Sequence, residues 1–464
     1  MNLAIVQPVA GAWAKRFPYR EDVAALGATL LAHGHKVTLT VLDTCDEVAL
    51  AAAMTGSQPE LIFIYVESPA ADLAFRIAGA LALLHRAPTL PFGPHAALKP
   101  DECLSMTGAE AVAISPADVT APGYLAAGRN SLDYLRMPGF WVKCETGVMR
   151  NPPSRPPESL DHQPLPAREL YFSDQVLDAA GMAYVRVARG GEGGASPAAT
   201  DPHGAGTWPM SGVWPVLHRP VESVIQEMLK LAEVQLDLGG FRIGNERWVS
   251  DAKWLAEFAP LYARKVAFPF RTTLHAPDIT PEAAELLAVA KGGEVRVPVG
   301  SGSAMIRNDI LGLHVTDDAL AAAFAALRKA GVRSAASVEV GAPYETPASL
   351  QQTVEFLRRL DPDRVDAVLH YPVPGTPADK AARENGWLVP DPVAAHLAGK
   401  PAVALPRLSA DDIITALESL PFAVLRPHIV PLIRLSRRVT IGKRGTLYDV
   451  AVKPFLAPPV RQKR

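Results

Sequence analysis

The 464-residue sequence predicts an α/β protein: a doubly wound parallel sheet, then an open (β/α)6 partial barrel, then a small C-terminal extension. Three observations carry this prediction. Short apolar or β-branched runs alternate with segments whose apolar residues recur every three or four positions, the pattern of parallel strands joined by crossover helices. The alternation stops in a proline-dense stretch at 137–180 and resumes for six further units. With 48% hydrophobic and 20% charged residues, the chain is globular and long enough for two or three domains.

The bulk numbers exclude several classes. A formal net charge of -2 argues against a partner bound by phosphate neutralisation, so no nucleic acid is expected. Cys45, Cys103 and Cys144 lie far apart, match no disulfide or zinc spacing, and are expected to be buried thiols of a cytosolic protein. The start "MNLAIVQPVAGAW" has neither the basic beginning nor the long apolar core of a signal peptide. No apolar run approaches the length of a membrane span, so a soluble, cytoplasmic protein is expected.

Residues 1–136 form the first predicted domain. "NLAIVQPV" reads as a strand, and the segment after it as a helix that Gly34 ends. "KVTLTVLD", "ELIFIYV", "PTLPFG" and "AEAVAIS" continue the strands, with "ADLAFRIAGALALLHR" as a crossover helix. Ligands of open sheets bind beyond the strand C-termini. Those ends are "QPVAG", "VESPAAD" with Glu67 and Ser68, "FGPHAALKP" with Gly93, Pro94 and His95, and "ISPAD" with Ser115. Ordinary tight turns account for the same glycines and prolines. No G-x-G-x-x-G follows the first strand, which disfavours a dinucleotide. The D-x-H-x-x-G of methionine-synthase-type cobalamin domains is also missing.

In the linker, 137–180, "GFWVKCETGVMRNP" reads as a small hairpin and "LDHQPLPAREL" as a segment laid over a neighbouring surface. Strands then open each unit of 181–390: "MAYVRVARG", "GFRIGNE", "VAFPFRTTLHA", "EVRVPVG", "RSAASVEVGAP" and "RVDAVLHYPVPGTP". Thr280-Pro281, Thr346-Pro347 and Asp317 mark helix starts, and Gly292 and Gly331 mark stops. Such a barrel works at its strand C-termini. In the extension, 391–464, a helix is expected to end before Pro421. The last stretch, from Arg434, carries nine Lys or Arg against one Asp. It reads as a solvated strand pair and tail, or else as a dock for an acidic partner or membrane surface.

Taken in order, "FGPHAALKPDECL", "LDHQPLPAREL", "VPVGSGSAMIRNDILGLHVTDDAL", "VEVGAPYET" and "YPVPGTP" resemble segments of the cobalamin-binding radical SAM enzymes. That class includes methyltransferases and an anaerobic cyclase of bacteriochlorophyll synthesis, and the resemblance covers roughly residues 1–390. It implies a Rossmann-like cobalamin domain, a proline-rich linker and a partial TIM barrel. It further implies cobalamin contacts from Glu67, Ser68, Gly93, Pro94, His95 and Ser115. SAM, if bound, would meet Ser301, Arg307 and Gly341. The family's C-x-x-x-C-x-x-C motif, which holds a [4Fe-4S] cluster, follows an Arg-Gly that ends the first barrel strand. Here Arg189-Gly190 is present, but the three cysteine positions hold Gly191, Ala195 and Ala198, so no cluster is expected. Gly300 stands where the family has an acidic residue before Ser-Gly-Ser. In the second strand Asn245 and Glu246 stand where the family has aspartates. Glu345 is expected to hold a turn or cap the following helix.

Four functions compete at this point. The first is a cobalamin-binding, radical-SAM-like protein without cluster or radical chemistry, acting as a partner, carrier or regulatory pseudoenzyme beside an active paralogue. The alternative is a cobalamin-dependent polar methyltransferase that uses SAM without a cluster and takes electrons from an outside donor. A scaffold binding neither cofactor is the third. The fourth, a different metal on Glu192, Asp201 and His203, would have scattered ligands.

Overall fold

The computed structural model describes residues 1–464 except 12, 13, 16, 129, 130, 192–213, 292, 439–447 and 449–464. These fall into two compact units, one of Met1–Gly193 with His203–Trp248, the other running on from Val249.

The first unit opens with β1 (Asn2–Pro8), β2 (Lys36–Leu42), β3 (Leu61–Tyr65) and β4 (Thr89–Phe92), a parallel sheet in the order β2-β1-β3-β4. β3 and β4 are buried along their whole length, and β1 in all but its first residue. Burial on both faces explains why these strands read as continuous apolar runs rather than alternating ones. Helices Glu21–Ala32 and Ala71–Leu84 make the expected crossovers. A third helix, Glu47–Ser57, was not expected. Its Ala-rich sequence buries only Leu50 and Met54, too thin a stripe to read. Asp46 caps it by accepting from the Val48 and Ala49 amides.

β5 (Ala111–Ala113), β6 (Phe140–Cys144) and β7 (Gly147–Arg150) form an antiparallel sheet, and the expected fifth strand joins the doubly wound sheet only at its start, by a parallel bridge from Ala109 to Thr89 of β4. β6 and β7 are the expected linker hairpin. The phrase at 160–170 does lie on a neighbour: the Ala167 amide donates to Ala24 O at 3.0 Å on helix Glu21–Ala32.

Still in the first unit, β8 (Met182–Arg186) leads through β9 (Ala188–Gly191) and β10 (Trp214–His218) to helix Val221–Val234 and β11 (Gly240–Gly244). β8 and β11 pair in parallel, as the first two barrel strands should. β9 and β10 pair antiparallel, with Gly191 opposite Trp214 and Ala188 opposite His218. That ribbon was not expected.

The second unit carries β12 (Phe270–Thr273), β13 (Gly293–Gly300), β14 (Arg333–Val340) and β15 (Arg364–Leu369), parallel and in sequence order. Helices Pro281–Val289 and Pro347–Leu360 start at Thr280 and Thr346, as predicted. Helix Asp317–Ala330 is capped one residue earlier than expected, by the Thr316 hydroxyl, and stops at left-handed Gly331. Gly292 lies outside the described residues.

The two faces of this sheet differ. Val295, Val297, Val299, Ala336, Val338 and Val340 are buried on one face. On the other, Arg296, Ala335 and Arg364 stand in register, and Arg296 and Arg364 meet Asp366 at 3.0 and 2.9 Å.

In the extension, helix Ala410–Leu425 runs through Pro421 instead of ending before it. Ile413 on one side of the proline and Leu420, Phe422 and Val424 around it are all buried, and this packing outweighs the lost amide. The tail beyond Arg438 lies outside the described residues, Tyr448 excepted. Among the described residues no helix is long and apolar enough to cross a membrane. Of the cysteines, only Cys103 is buried; Cys45 and Cys144 sit partly exposed, one just before a helix and the other beside a hairpin turn.

Candidate functional site

The loops after β3 and β4 bring Glu67, Ser68, Gly93, Pro94 and His95 together at the C-terminal edge of the first sheet. Ser68 Oγ lies 2.9 Å from His95 Nδ1, and the His95 amide donates to Val66 O at 3.0 Å. Pro94 opens the short helix Pro94–Leu98. Gly93 has φ +111, and a Cβ there would lie 2.8 Å from Val66 O and 3.0 Å from the Tyr65 ring, so only glycine fits. His95 is buried, and its Nε2 has no hydrogen-bond partner, with Glu102 Oε1 3.6 Å away. Burial lowers its pKa, and Glu102 opposes that in part. Glu67 is held by Arg20, Nε to Oε1 at 2.5 Å and Nη2 to Oε2 at 3.0 Å. Ser115, after β5, is fully buried and accepts from the Ser154 amide at 3.0 Å.

Buried ion pairs tie this edge to β8 within the first unit. Asp22, in the first turn of the helix after β1, accepts from Arg186 Nη1 at 2.8 Å. Asp118, in the first turn of helix Ala117–Ala127, meets Arg189 at 2.5 Å and Gln163 Nε2 at 3.1 Å. Arg168 from the linker donates to Glu227 at 2.5 Å and lies 4.5 Å over the Tyr19 ring. Burial alone would raise the Glu227 pKa, but Arg219 and Arg168 hold it below the usual range. Burial pushes neighbouring Glu21 up, against Arg168 and Arg186. The two carboxylates therefore differ in protonation tendency although one guanidinium serves both.

The first of the three sulfur positions is described, and a cysteine does not suit it. Gly191 has φ +106, in the region that L side chains rarely adopt, and its ladder partner is Trp214. A Cβ there would come within 3.2 Å of Arg247 Cδ. At Gly190, φ +89, an added Cβ would overlap the Pro215 carbonyl. Asn245 completes the corner: its Nδ2 donates to Gly190 O at 2.8 Å and its Oδ1 accepts from the Arg247 amide at 2.7 Å. Ala195, Ala198, Glu192, Asp201 and His203 lie outside the described residues. Among the described residues no three His, Cys, Asp or Glu side chains are grouped to hold a metal. Among the described residues this corner offers no thiolate for a cluster.

In the second unit the three SAM candidates are engaged within the protein. Ser301 Oγ accepts from the Ser303 amide at 3.2 Å. Arg307 is fully buried; Nε donates to Val315 O at 2.9 Å, Nη1 to Ser301 O at 3.2 Å, and Nη2 to Asp317. The Gly341 amide donates to Glu345 Oε2 at 2.6 Å. Glu345 thus holds its turn, as expected, and burial pushes its pKa up to about 8. Gly300, where the family carries an acid, has φ +65 and packs on Leu311 and Leu313, an apolar setting. All three candidates thus make bonds within the protein, while the Arg307 guanidinium, with five N–H groups, keeps two beyond these three bonds.

Sequence reasoning missed the buried pair Glu339–His370, at the C-terminal ends of β14 and β15. His370 Nδ1 lies 2.5 Å from Glu339 Oε2, while Glu339 Oε1 and His370 Nε2 have no partner. Glu339 stands on the charged face, two residues after Ser337, which pairs Asp366 in register. His396 sits beside His370 with its own Nδ1 unpaired. The available signal was an acidic residue in an otherwise apolar strand, "SVEV", and a histidine directly after another, "VLH".

No protein-family model matches the chain, and no curated protein matches it. Solved structures do. The radical S-adenosylmethionine methyltransferase TsrM from Kitasatospora setae, with cobalamin and a [4Fe-4S] cluster bound, superposes with TM-score 0.62 at 16% identity, over 83% of this chain and 75% of that one. The cobalamin-dependent S-adenosylmethionine radical enzyme OxsB, with aqua-cobalamin and S-adenosylmethionine bound, gives TM-score 0.64 at 12% identity over 83% of this chain. The chain spans 56% of OxsB. At these identities the likeness establishes the fold.

Proposed function

From the fold of the cobalamin-dependent radical SAM enzymes as premise, we propose that this chain binds cobalamin but has lost the [4Fe-4S] cluster and radical chemistry. It works as a non-radical partner, carrier or regulatory pseudoenzyme, beside an active radical SAM paralogue. In this reading β8 and β11–β15 are the six strands of a partial barrel, and 1–136 is the cobalamin domain.

The observation that carries it is Gly191. Its left-handed φ of +106 inside the β9–β10 ladder disfavours a cysteine at the first cluster position, beyond the loss of sulfur itself. Support for cobalamin comes from the C-terminal edge of the first sheet and the end of β8. The glycine turn at Gly93 lets the backbone pass close to β3, and His95 Nε2, Asp22 Oδ2 and Arg186 Nη2 are buried without hydrogen-bond partners. Those groups suit a neutral, amide-rich ligand. Bound cobalamin would supply a cobalt centre able to carry a methyl group or electrons; the chain's residues bind and orient it and keep water out. The polar-methyltransferase alternative draws less support, since the Gly341 amide is spent on Glu345 and Arg307 is buried with bonds to Val315, Ser301 and Asp317.

Anaerobic reconstitution with iron, sulfide and hydroxocobalamin, then metal analysis, tests the proposal. Stoichiometric cobalt with no iron is expected. About four iron per chain, the content of one [4Fe-4S] cluster, would refute the loss of the cluster. An absence of cobalt would refute cobalamin binding.

A further inference from the structure

Asp22 and Arg186 share one hydrogen bond, and each keeps one polar atom that no protein group pairs: Asp22 Oδ2 and Arg186 Nη2. Both side chains are more than nine-tenths buried, at 5% and 8% exposure. The neighbouring pair behaves differently at its carboxylate. Asp118 has both oxygens occupied, Oδ1 by Arg189 and Oδ2 by Arg189 and Gln163. A buried donor or acceptor left unpaired is costly, and native proteins pair nearly all of them. An outside partner for Oδ2 and Nη2 is therefore implied.

The chemistry of the two atoms narrows that partner. The ion pair is already neutral, and a net charge brought beside it would be left uncompensated in a dry site. The ligand must present an acceptor to a guanidinium N–H and a donor to a carboxylate oxygen, side by side. A primary carboxamide does this, with its carbonyl on Arg186 and its NH2 on Asp22. Asp22 follows β1 at the sheet's C-terminal edge, where open-sheet ligands bind, and Arg186 ends β8. Corrinoids carry primary carboxamides around the ring.

We propose that Asp22 and Arg186 form a carboxamide clamp that grips one peripheral amide of a corrinoid. The clamp rests on the cobalamin reading above. It fixes the ring's rotation at this edge without touching the cobalt.

Visible titration of the full chain with hydroxocobalamin is the test, on the wild type, Asp22→Asn and Asp118→Asn. Asp22→Asn turns the unpaired acceptor into a donor facing the amide's NH2 and should weaken binding at least tenfold. Asp118→Asn touches a pair with no free acceptor and should leave affinity unchanged even if it lowers stability. A second arm uses hydroxocobalamin monocarboxylic acids, each with one peripheral amide hydrolysed. Wild type should reject one isomer, whose carboxylate faces Asp22, and Asp22→Asn should prefer that same isomer.

If wild type takes up no hydroxocobalamin, the cobalamin reading and the clamp fall together. If wild type binds it and Asp22→Asn binds equally well, the clamp alone falls and an internal water pairs the two atoms. Should Asp22→Asn fail to fold, the monoacid series on wild type decides, and equal affinity for every isomer overturns the clamp.

Discussion

Replacing Glu345 by glutamine should stabilise the protein, and increasingly so as the pH rises. The carboxyl is buried, accepts one hydrogen bond from the Gly341 amide at 2.6 Å, and is pushed by burial, with Glu339 adding to it, from 4.5 to about 8. Between those two values the folded protein keeps a proton that the unfolded chain releases. Stability contributed by this group is therefore complete below about 4.5 and is lost as the pH climbs towards 8. One pH unit is worth about 1.4 kcal/mol, so the penalty is under about 1 kcal/mol at pH 5 and about 3 kcal/mol at pH 7. Glutamine retains an oxygen for the Gly341 amide and does not titrate. Urea denaturation of wild type and Glu345→Gln at pH 5, 6, 7 and 8, compared at equal m-values, isolates the effect because every other titration cancels. A stability difference independent of pH would refute the assignment of a proton to buried Glu345.

Other substitutions test other parts of the structure. His370→Gln leaves the buried Glu339 carboxylate without its imidazole and should cost about 3 kcal/mol, read as a lower calorimetric Tm; an unchanged Tm would mean the pair is not formed. Gly93→Ala places a Cβ against Val66 O at φ +111 and should cost about 2 kcal/mol in denaturant melts, whereas Gly34→Ala, with open space around it, should cost less. Restoring sulfur with Gly191→Cys, Ala195→Cys and Ala198→Cys together should still give far less than the about four iron per chain of a full cluster after reconstitution. Full loading would show that the φ of Gly191 does not bar the site.

The parts of the fold that were legible in the sequence are those set by neighbours along the chain. Thr280 and Thr346 cap the helices they precede, Gly331 ends one, and the Glu345 turn closes over four residues. The parallel pairing follows because helices alternate with strands and carry the chain back across each sheet. The unread parts are set by distance or by packing. Asp22 and Arg186 are 164 positions apart, and nothing local marks either as a partner of the other. Glu339 and His370 lie 31 positions apart, and only the register of two adjacent strands brings them to one face. The β9–β10 ribbon joins "ARGG" to "WPVLH", segments whose glycines and proline suppress the alternation that announces a strand. Pro421 misled for the opposite reason: a strong local breaker yields when the turns on either side are anchored in a core.

The same ribbon also bears on how this chain can vary. Gly191 and Trp214 face each other across one rung, so the two described residues that flank 192–213 in the sequence are held side by side by the ladder itself. A connection whose ends are fixed in this way can change length at a closure cost that grows only logarithmically. The β9–β10 rung therefore marks a position where sequence length can vary while β8 and β11 keep their pairing.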